Sequence, residues 1–208
     1  MHPNPDFRRA SEAENLAFAK AQAFGMLVVS GENGPLLSHV PFHLFEADRY
    51  LEVHLVRSNP IARALSEPCA AVMAIQGPHG YVSPDWYEID DQVPTWNYVA
   101  VHLRGKLSPL PQAELARVID DLSDEMEARL APKPMWRSDK MTPSVLEKMQ
   151  RQIMPFRLEI ETVEGTWKLN QNKADAVRLR AADQVAVAPT GFEAAALAEL
   201  MREPPQGD

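Results

Sequence analysis

Between Met26 and Val56 three segments follow one another in which apolar residues recur at every second position, and only short turns separate them. Met26-Leu-Val-Val29 leads through the turn Gly31-Glu-Asn-Gly34 into Leu36–Phe45, and Tyr50–Val56 comes next. Successive side chains of a strand point to opposite faces, so each segment buries one face and offers the other to solvent or a ligand. Strands joined so closely pair antiparallel, because a parallel pair needs a crossover of a dozen or more residues. In Leu36–Phe45 the even positions Leu36, Val40, Phe42 and Leu44 form the apolar face, while His39, Pro41 and His43 occupy the other. In Tyr50–Val56 the apolar set is Leu51, Val53 and Leu55, opposed by Glu52 and His54.

Three further strands are expected at 69–76, 97–107 and 156–163, which makes six. Ser11 with Glu14 three residues on forms a capping box and predicts a helix over 11–23. Asn59-Pro60 supplies an N-cap and a proline at the first helical position, predicting a helix over 60–66. Leu115, Val118, Ile119, Leu122 and Met126 recur at helical spacing within 111–130, and another helix is expected over 144–153. The fold class is therefore mainly β with flanking helices (α+β), a six-stranded antiparallel barrel. One domain is expected over 1–180. A C-terminal extension over 181–208 should hold one weak helix after Ala188 and a flexible, Pro-rich end.

With 208 residues the chain is too short for two full domains, and with 45% apolar residues it can bury a core. Lys and Arg total 21 against 29 Asp and Glu, so 21 − 29 leaves a net charge of −8, which excludes a coat of basic charge for nucleic acid. The lone Cys69 permits no intrachain disulfide and reads as a buried small hydrophobe, which suits a reducing, cytoplasmic setting. The N-terminal stretch has no signal-peptide pattern, and no run of about 18 apolar residues offers a membrane span.

Glycine-rich phosphate loops and a Gly-x-Ser-x-Gly elbow are missing. The six histidines show no metal-ligand spacing, so no metal site is expected, and His39, His43, His54 and His102 read as polar strand faces. Two stretches, Tyr81-Val-Ser-Pro-Asp-Trp-Tyr87 and Val93-Pro-Thr-Trp-Asn-Tyr98, interleave five aromatics with hydroxyls and an amide. Such a set either closes the barrel end or grips a flat heteroaromatic ring by stacking and directional hydrogen bonds. If the ring carries a phosphate, cations must replace the missing glycine loop. Arg57-Ser58-Asn59 is the nearest candidate, Lys168 a second, and Gln171 can hydrogen-bond a carbonyl edge.

In this order, Ser38-His-Val-Pro-Phe42, His54-Leu-Val-Arg-Ser-Asn-Pro60, Gly77–Tyr87, Val93–Val101 and Lys168-Leu-Asn-Gln-Asn172 resemble the PaiB-type family of FMN-binding negative transcriptional regulators. The resemblance covers about residues 1–180. It implies the split-barrel fold of the pyridoxamine-phosphate-oxidase-like proteins, usually homodimeric with FMN at the subunit interface. It places the flavin ring near Ser38, His39 and Val40, the phosphate near Arg57, Ser58 and Asn59, and Trp96, Asn97, Lys168 and Gln171 around the rest of the cofactor. The chain departs from the family at its opening, Met1-His-Pro-Asn-Pro5, and at Asn170, where serine is usual. The resemblance implies a regulator acting through flavin or ligand sensing or through a partner. DNA binding has weak support: no helix-turn-helix is evident, and the most basic surface is the helix with Lys148 and Arg151, with Arg157 beyond. The alternatives are an FMN-dependent oxidoreductase or flavin reductase with a nicotinamide donor, in which His39 or Tyr81 handles a proton, and a haem-binding split barrel. The sequence singles out no catalytic residue.

Overall fold

A computed structural model describes residues 1–47 and 49–206, so the last two residues of the Pro-rich tail, expected to be flexible, lie outside the described residues. The chain forms helix α1 (Glu12–Gln22), strands β1 (Phe24–Gly31), β2 (Gly34–Pro41), β3 (His43–Phe45) and β4 (Tyr50–Val56), and the short helix α2 (Pro60–Ala64). Strand β5 (Cys69–Val82), strand β6 (Thr95–Pro109), helices α3 (Leu115–Ala128) and α4 (Pro143–Gln150), strand β7 (Ile153–Lys168), and helices α5 (Asp175–Ala186) and α6 (Ala194–Arg202) follow. The strands form one sheet in the order β2-β1-β5-β6-β7-β4-β3. The α+β class and the antiparallel pairing are as expected.

Seven strands are present rather than six, and the sheet is not closed. The segment expected as one strand over 36–45 divides at Phe42. Pro41 has no N–H to donate, and Phe42 turns its own N–H to the carbonyl of Ala23 at 3.0 Å while its ring is fully buried. The chain thereby leaves β1, where Pro41 opposes Phe24, and pairs with β4, where Phe45 opposes Tyr50. Strands β5, β6 and β7 also run longer than expected, and β5 absorbs Gly77–Val82, which composition had suggested as loop.

The capping signals act as the sequence implies. Ser11 Oγ accepts the Glu14 N–H and Glu14 Oε2 accepts the Ser11 N–H, at 3.2 and 2.7 Å. Asn59 Oδ1 accepts the Ile61 N–H at 2.9 Å to start α2.

The residues divide into two compact units, one of Met1–Phe18, Ile75–His102 and Val163–Asp208, the other of Ala19–Ala74 and Leu103–Thr162. In the first, α5 and α6 bury Val177, Ala181, Val185, Leu197 and Met201 against Val82, Tyr87, Val99 and Trp167. Helix α5 had no counterpart among the expected elements. In the second, α3 turns Leu115, Val118 and Leu122 inward beside the buried residues of β4 and the first half of β7. Gly105 in β6 is required there, because a Cβ would stand 1.7 Å from the Glu159 carbonyl oxygen.

Glu52 of β4 is 1% exposed and is bound by two guanidinium groups. Arg117 of α3 donates to both carboxylate oxygens at 2.8 and 2.9 Å, and Arg157 of β7 donates to Oε1 through Nη2 at 2.7 Å and Nε at 3.1 Å. Arg157, expected on a basic surface, is instead turned to Glu52 and lies 4.0 Å from the centre of the Tyr50 ring. Burial pushes the Glu52 carboxyl up, but the two arginines outweigh it and hold the group below the usual carboxylate range. Because the folded-state value is depressed, this contribution is present above the usual carboxylate range and lost as pH falls through the folded value. Glu52→Gln should lower stability at pH 7 by about 1–2 kcal/mol, because it removes the charge from two guanidinium hydrogen-bonded pairs while the arginines, about a third exposed, stay solvated and Arg117 keeps Glu114 and Asp121. The gap to wild type should narrow below about pH 4 in chemical unfolding curves; a gap independent of pH would contradict this role.

Candidate functional site

In the second unit the end of β4, the turn after it and β2 bring Ser38 and Asn59 together. Asn59 Nδ2 donates to Ser38 Oγ at 2.6 Å while its Oδ1 caps α2, so both ends of one amide are fixed. Ser38 is half-buried and Val40 buried, both on the face of β2 that carries Leu27 and Gly25 of β1 opposite them. His39 points the other way, exposed beside Leu37 and Pro41 and opposite Met26. The strand thus separates His39 from Ser38 and Val40.

Arg57 and Ser58 are exposed. Arg57 Nε donates to the Arg151 carbonyl at 2.7 Å and Nη2 to Gln112 Oε1 at 2.6 Å, which leaves Nη1 without a partner among the described residues. The set supplies a guanidinium with one open end, a hydroxyl and a tethered amide. That combination fits a phosphate monoester and a polar ring edge.

In the first unit Asn97 of β6 is fully buried, and neither Nδ2 nor Oδ1 has a hydrogen-bond partner. Buried amides without partners are rare and costly, so this side chain has the chemistry of a ligand contact. Lys168 is half-buried, donates to Thr95 Oγ1, and lies 5.9 Å from the centre of the Phe7 ring. Burial pushes its ammonium down, and it has no carboxylate partner among the described residues, which suits it to an anion.

Trp96 is 44% exposed and donates from its indole N–H to His79 Nδ1 at 3.2 Å. That bond leaves the imidazole proton of neutral His79 on Nε2, a donor rather than a metal-ligating lone pair. Gln171 spends its amide on its own turn: Oε1 accepts the Leu169 N–H at 2.8 Å and Nε2 donates to the Trp167 carbonyl at 2.5 Å. The family departure at Asn170 has a local reason. Its φ is +64°, a conformation asparagine tolerates well, and its Oδ1 accepts the Tyr87 hydroxyl at 3.3 Å.

His43, His54 and His102 lie on strands, as the sequence suggested, and His2 accepts the Asn4 N–H at 3.1 Å. His43 Nδ1 lies 3.1 Å from the Glu125 carboxylate, and burial lowers the basicity of His54. Burial likewise pushes the Cys69 thiol up, away from reactivity. No group of three or more metal-binding side chains occurs among the described residues. Sequence reasoning missed Gln112, the support of Arg57; its only local signal is a polar residue between Pro111 and an amphipathic helix.

A family model described as "Putative FMN-binding domain" matches residues 1–162. The protease synthase and sporulation protein PAI 2 of Bacillus subtilis is 31% identical over 185 residues, covering 87% of each chain. An uncharacterized protein of Aspergillus fumigatus is 27% identical over 206 residues, covering 74% of this chain and 78% of its own. Among solved structures, the FAD and heme binding protein from Mycobacterium smegmatis aligns with a TM-score of 0.58 at 16% identity, covering 89% of this chain and 82% of that one. The flavocytochrome Anf3 from Azotobacter vinelandii aligns at 0.53 and 13% identity, covering 80% and 72%. At these identities the two structures show a shared fold.

Two buried asparagines give a direct test of the Asn97 amide. Asn15 is 3% exposed and uses its whole amide, donating to the Ala10 and Ser11 carbonyls and accepting from the Trp167 indole at 2.9 Å. Asn15→Leu should cost about 2–3 kcal/mol, whereas Asn97→Leu of the ligand-free protein should be neutral or stabilising. Equal losses in thermal unfolding would show that the Asn97 amide is satisfied.

Proposed function

The chain belongs to the FMN-binding domain family and is homologous to the PAI 2 protein, and on that premise we propose that it is an FMN-binding regulator that senses the flavin or a ligand beside it and acts through a partner. The reading rests chiefly on the tethered set Ser38, Asn59 and Arg57, whose open guanidinium end and oriented amide suit a flavin phosphate. Ser58 adds a hydroxyl to the phosphate end, and Ser38 and Val40 provide the half-buried surface for the ring. His39 contacts the ring through its strand rather than its side chain, since the imidazole faces away. Bound FMN supplies reversible acceptance of electrons or hydride. The protein's part is to bind and orient it.

Trp96, Asn97, Lys168 and Gln171 are proposed to meet the flavin carried by a second copy. Lys168 offers its ammonium to an anionic group and Gln171 shapes the turn that follows it; Asn97 shares a face of β6 with Thr95, the partner of Lys168, and its covered amide must be opened to meet a ring edge, while Trp96 turns its exposed ring to the opposite face. A homodimer is supported by the outer face of β2, β1 and β5. There Phe24 and Leu37, about half exposed, stand in register with Met26, Val28, Val72 and Ala74. An apolar sheet surface broken by His39, opposite Met26, is suited to burial against its own copy. Autonomous DNA recognition is disfavoured by the net charge of −8 and by the engagement of Arg157 with Glu52. No helix among the described residues is long and apolar enough to cross a membrane.

Titration of flavin-free protein, followed by flavin fluorescence, tests the cofactor. FMN should bind stoichiometrically, and Arg57→Ala should weaken FMN at least tenfold while leaving riboflavin, which lacks the phosphate, within about twofold. Equal affinity of the wild type for the two flavins would refute the phosphate assignment. Anaerobic NADH or NADPH should leave the bound flavin oxidised; rapid bleaching would replace the regulatory reading with a nicotinamide-linked reductase. The double variant Phe24→Glu/Leu37→Glu should be monomeric in light scattering where the wild type is dimeric.

A further inference from the structure

Helix α4 buries none of its residues, and Val145 and Met149, one turn apart, are about half exposed. A helix of eight residues without a buried face is not held by packing, and its last carbonyls need partners from elsewhere. Here the carbonyl of Gln150, the last residue of α4, that of its cap Arg151, and the two that lead into β7 accept from two residues. Gln112 Nε2 donates to Gln150 at 3.3 Å and to Ile153 at 3.1 Å. Arg57 donates from Nε to Arg151 at 2.7 Å and from its backbone N–H to Gln152 at 2.8 Å. The two donors are joined to each other through Arg57 Nη2 and Gln112 Oε1 at 2.6 Å.

We propose that Arg57 links the phosphate end of the flavin site to the C-terminal turn of α4, with Gln112 as the positioning residue, so that anion binding and the order of α4 reinforce each other. The inference rests on the flavin reading above and adds its regulation. The Arg151 carbonyl and Gln112 hold the guanidinium with Nη1 open, so a phosphate meets it without first ordering a long side chain. The same cation beside the helix C-terminus favours the helix. Coupling of this kind is reciprocal: what loosens α4 weakens phosphate binding, and bound phosphate steadies α4. The exposed Val145–Met149 ridge with Lys148 thereby becomes a surface whose order reports the ligand.

The test uses the full chain with FMN and riboflavin as paired probes. Gln112→Ala should weaken FMN about tenfold and leave riboflavin unchanged, the unchanged riboflavin affinity showing that the variant is folded. Gln112→Glu, which keeps the oxygen that Arg57 meets but cannot donate to the carbonyls of Gln150 and Ile153, should not recover the loss, and full recovery would show that the link to α4 plays no part in phosphate binding. In hydrogen exchange read by mass spectrometry, FMN but not riboflavin should slow exchange across residues 147–153, and Arg57→Ala should abolish the difference. If Arg57→Ala weakens FMN while Gln112→Ala does not, or if both flavins protect α4 equally, the coupling is wrong and the flavin reading stands. If the wild-type chain binds no FMN, the flavin reading fails and takes the coupling with it.

Discussion

The buried Glu52 carboxylate, held by Arg117 and Arg157, is the interaction on which the second unit depends. A lone carboxylate at 1% exposure carries a desolvation penalty of several kcal/mol, and only closely placed cations with matched geometry offset it. Meeting that demand positions three elements at once, because Glu52 belongs to β4, Arg157 to the strand paired with it and Arg117 to α3. Strand β4 ends at Val56, and the next three residues are Arg57, Ser58 and Asn59. The ion cluster therefore does for the candidate site what a glycine loop does in a nucleotide-binding fold: it fixes where the anion-facing residues emerge.

From that anchor the site is assembled by side-chain amides rather than by backbone. Asn59 joins β2 to α2, Gln112 joins Arg57 to the end of α4, and Gln171 closes the turn after Lys168. Each of these amides has both ends engaged. Asn97 is buried with both ends open, and Asn170 is buried with its Nδ2 open. An amide that holds structure and an amide that awaits a ligand look alike in composition and differ in what surrounds them, which is why hydrogen-bond accounting separates support from contact.

The same accounting explains the edges of the fold. Pro41 cannot donate, Phe42 takes a partner in Ala23, and one long alternating segment becomes two strands at opposite ends of the sheet. Lys168 and Arg57 differ in a related way. Arg57 has two of its three guanidinium nitrogens pinned and is exposed, whereas Lys168 is half-buried with a hydroxyl and a ring as its neighbours. One is a preset fork and the other a desolvated point charge, the two forms in which proteins present positive charge to an anion.

Features set by neighbours along the chain were legible in the residues themselves. The period-two alternation placed the strands, Ser11 with Glu14 began α1, Asn59-Pro60 began α2, and the spacing from Leu115 to Leu122 located α3 and its buried face. The order of the motifs pointed to the family. The seventh strand, the helix at 175–186, the inward turn of Arg157, the outward face of His39 and the bond between Arg57 and Gln112 were not legible. Helix α5 is small-residue-rich and weakly patterned, so its apolar face is recognisable only once Val82, Tyr87 and Trp167 are placed against it. Arg57 and Gln112 are 55 positions apart, and nothing local records that they meet. Local propensity and periodicity act over a turn or a strand pair and are written in the sequence. Which polar group satisfies which buried or terminal partner depends on elements distant in the chain, and that was decided only by the tertiary structure, where a donor drawn out of water is costly unless it finds an acceptor.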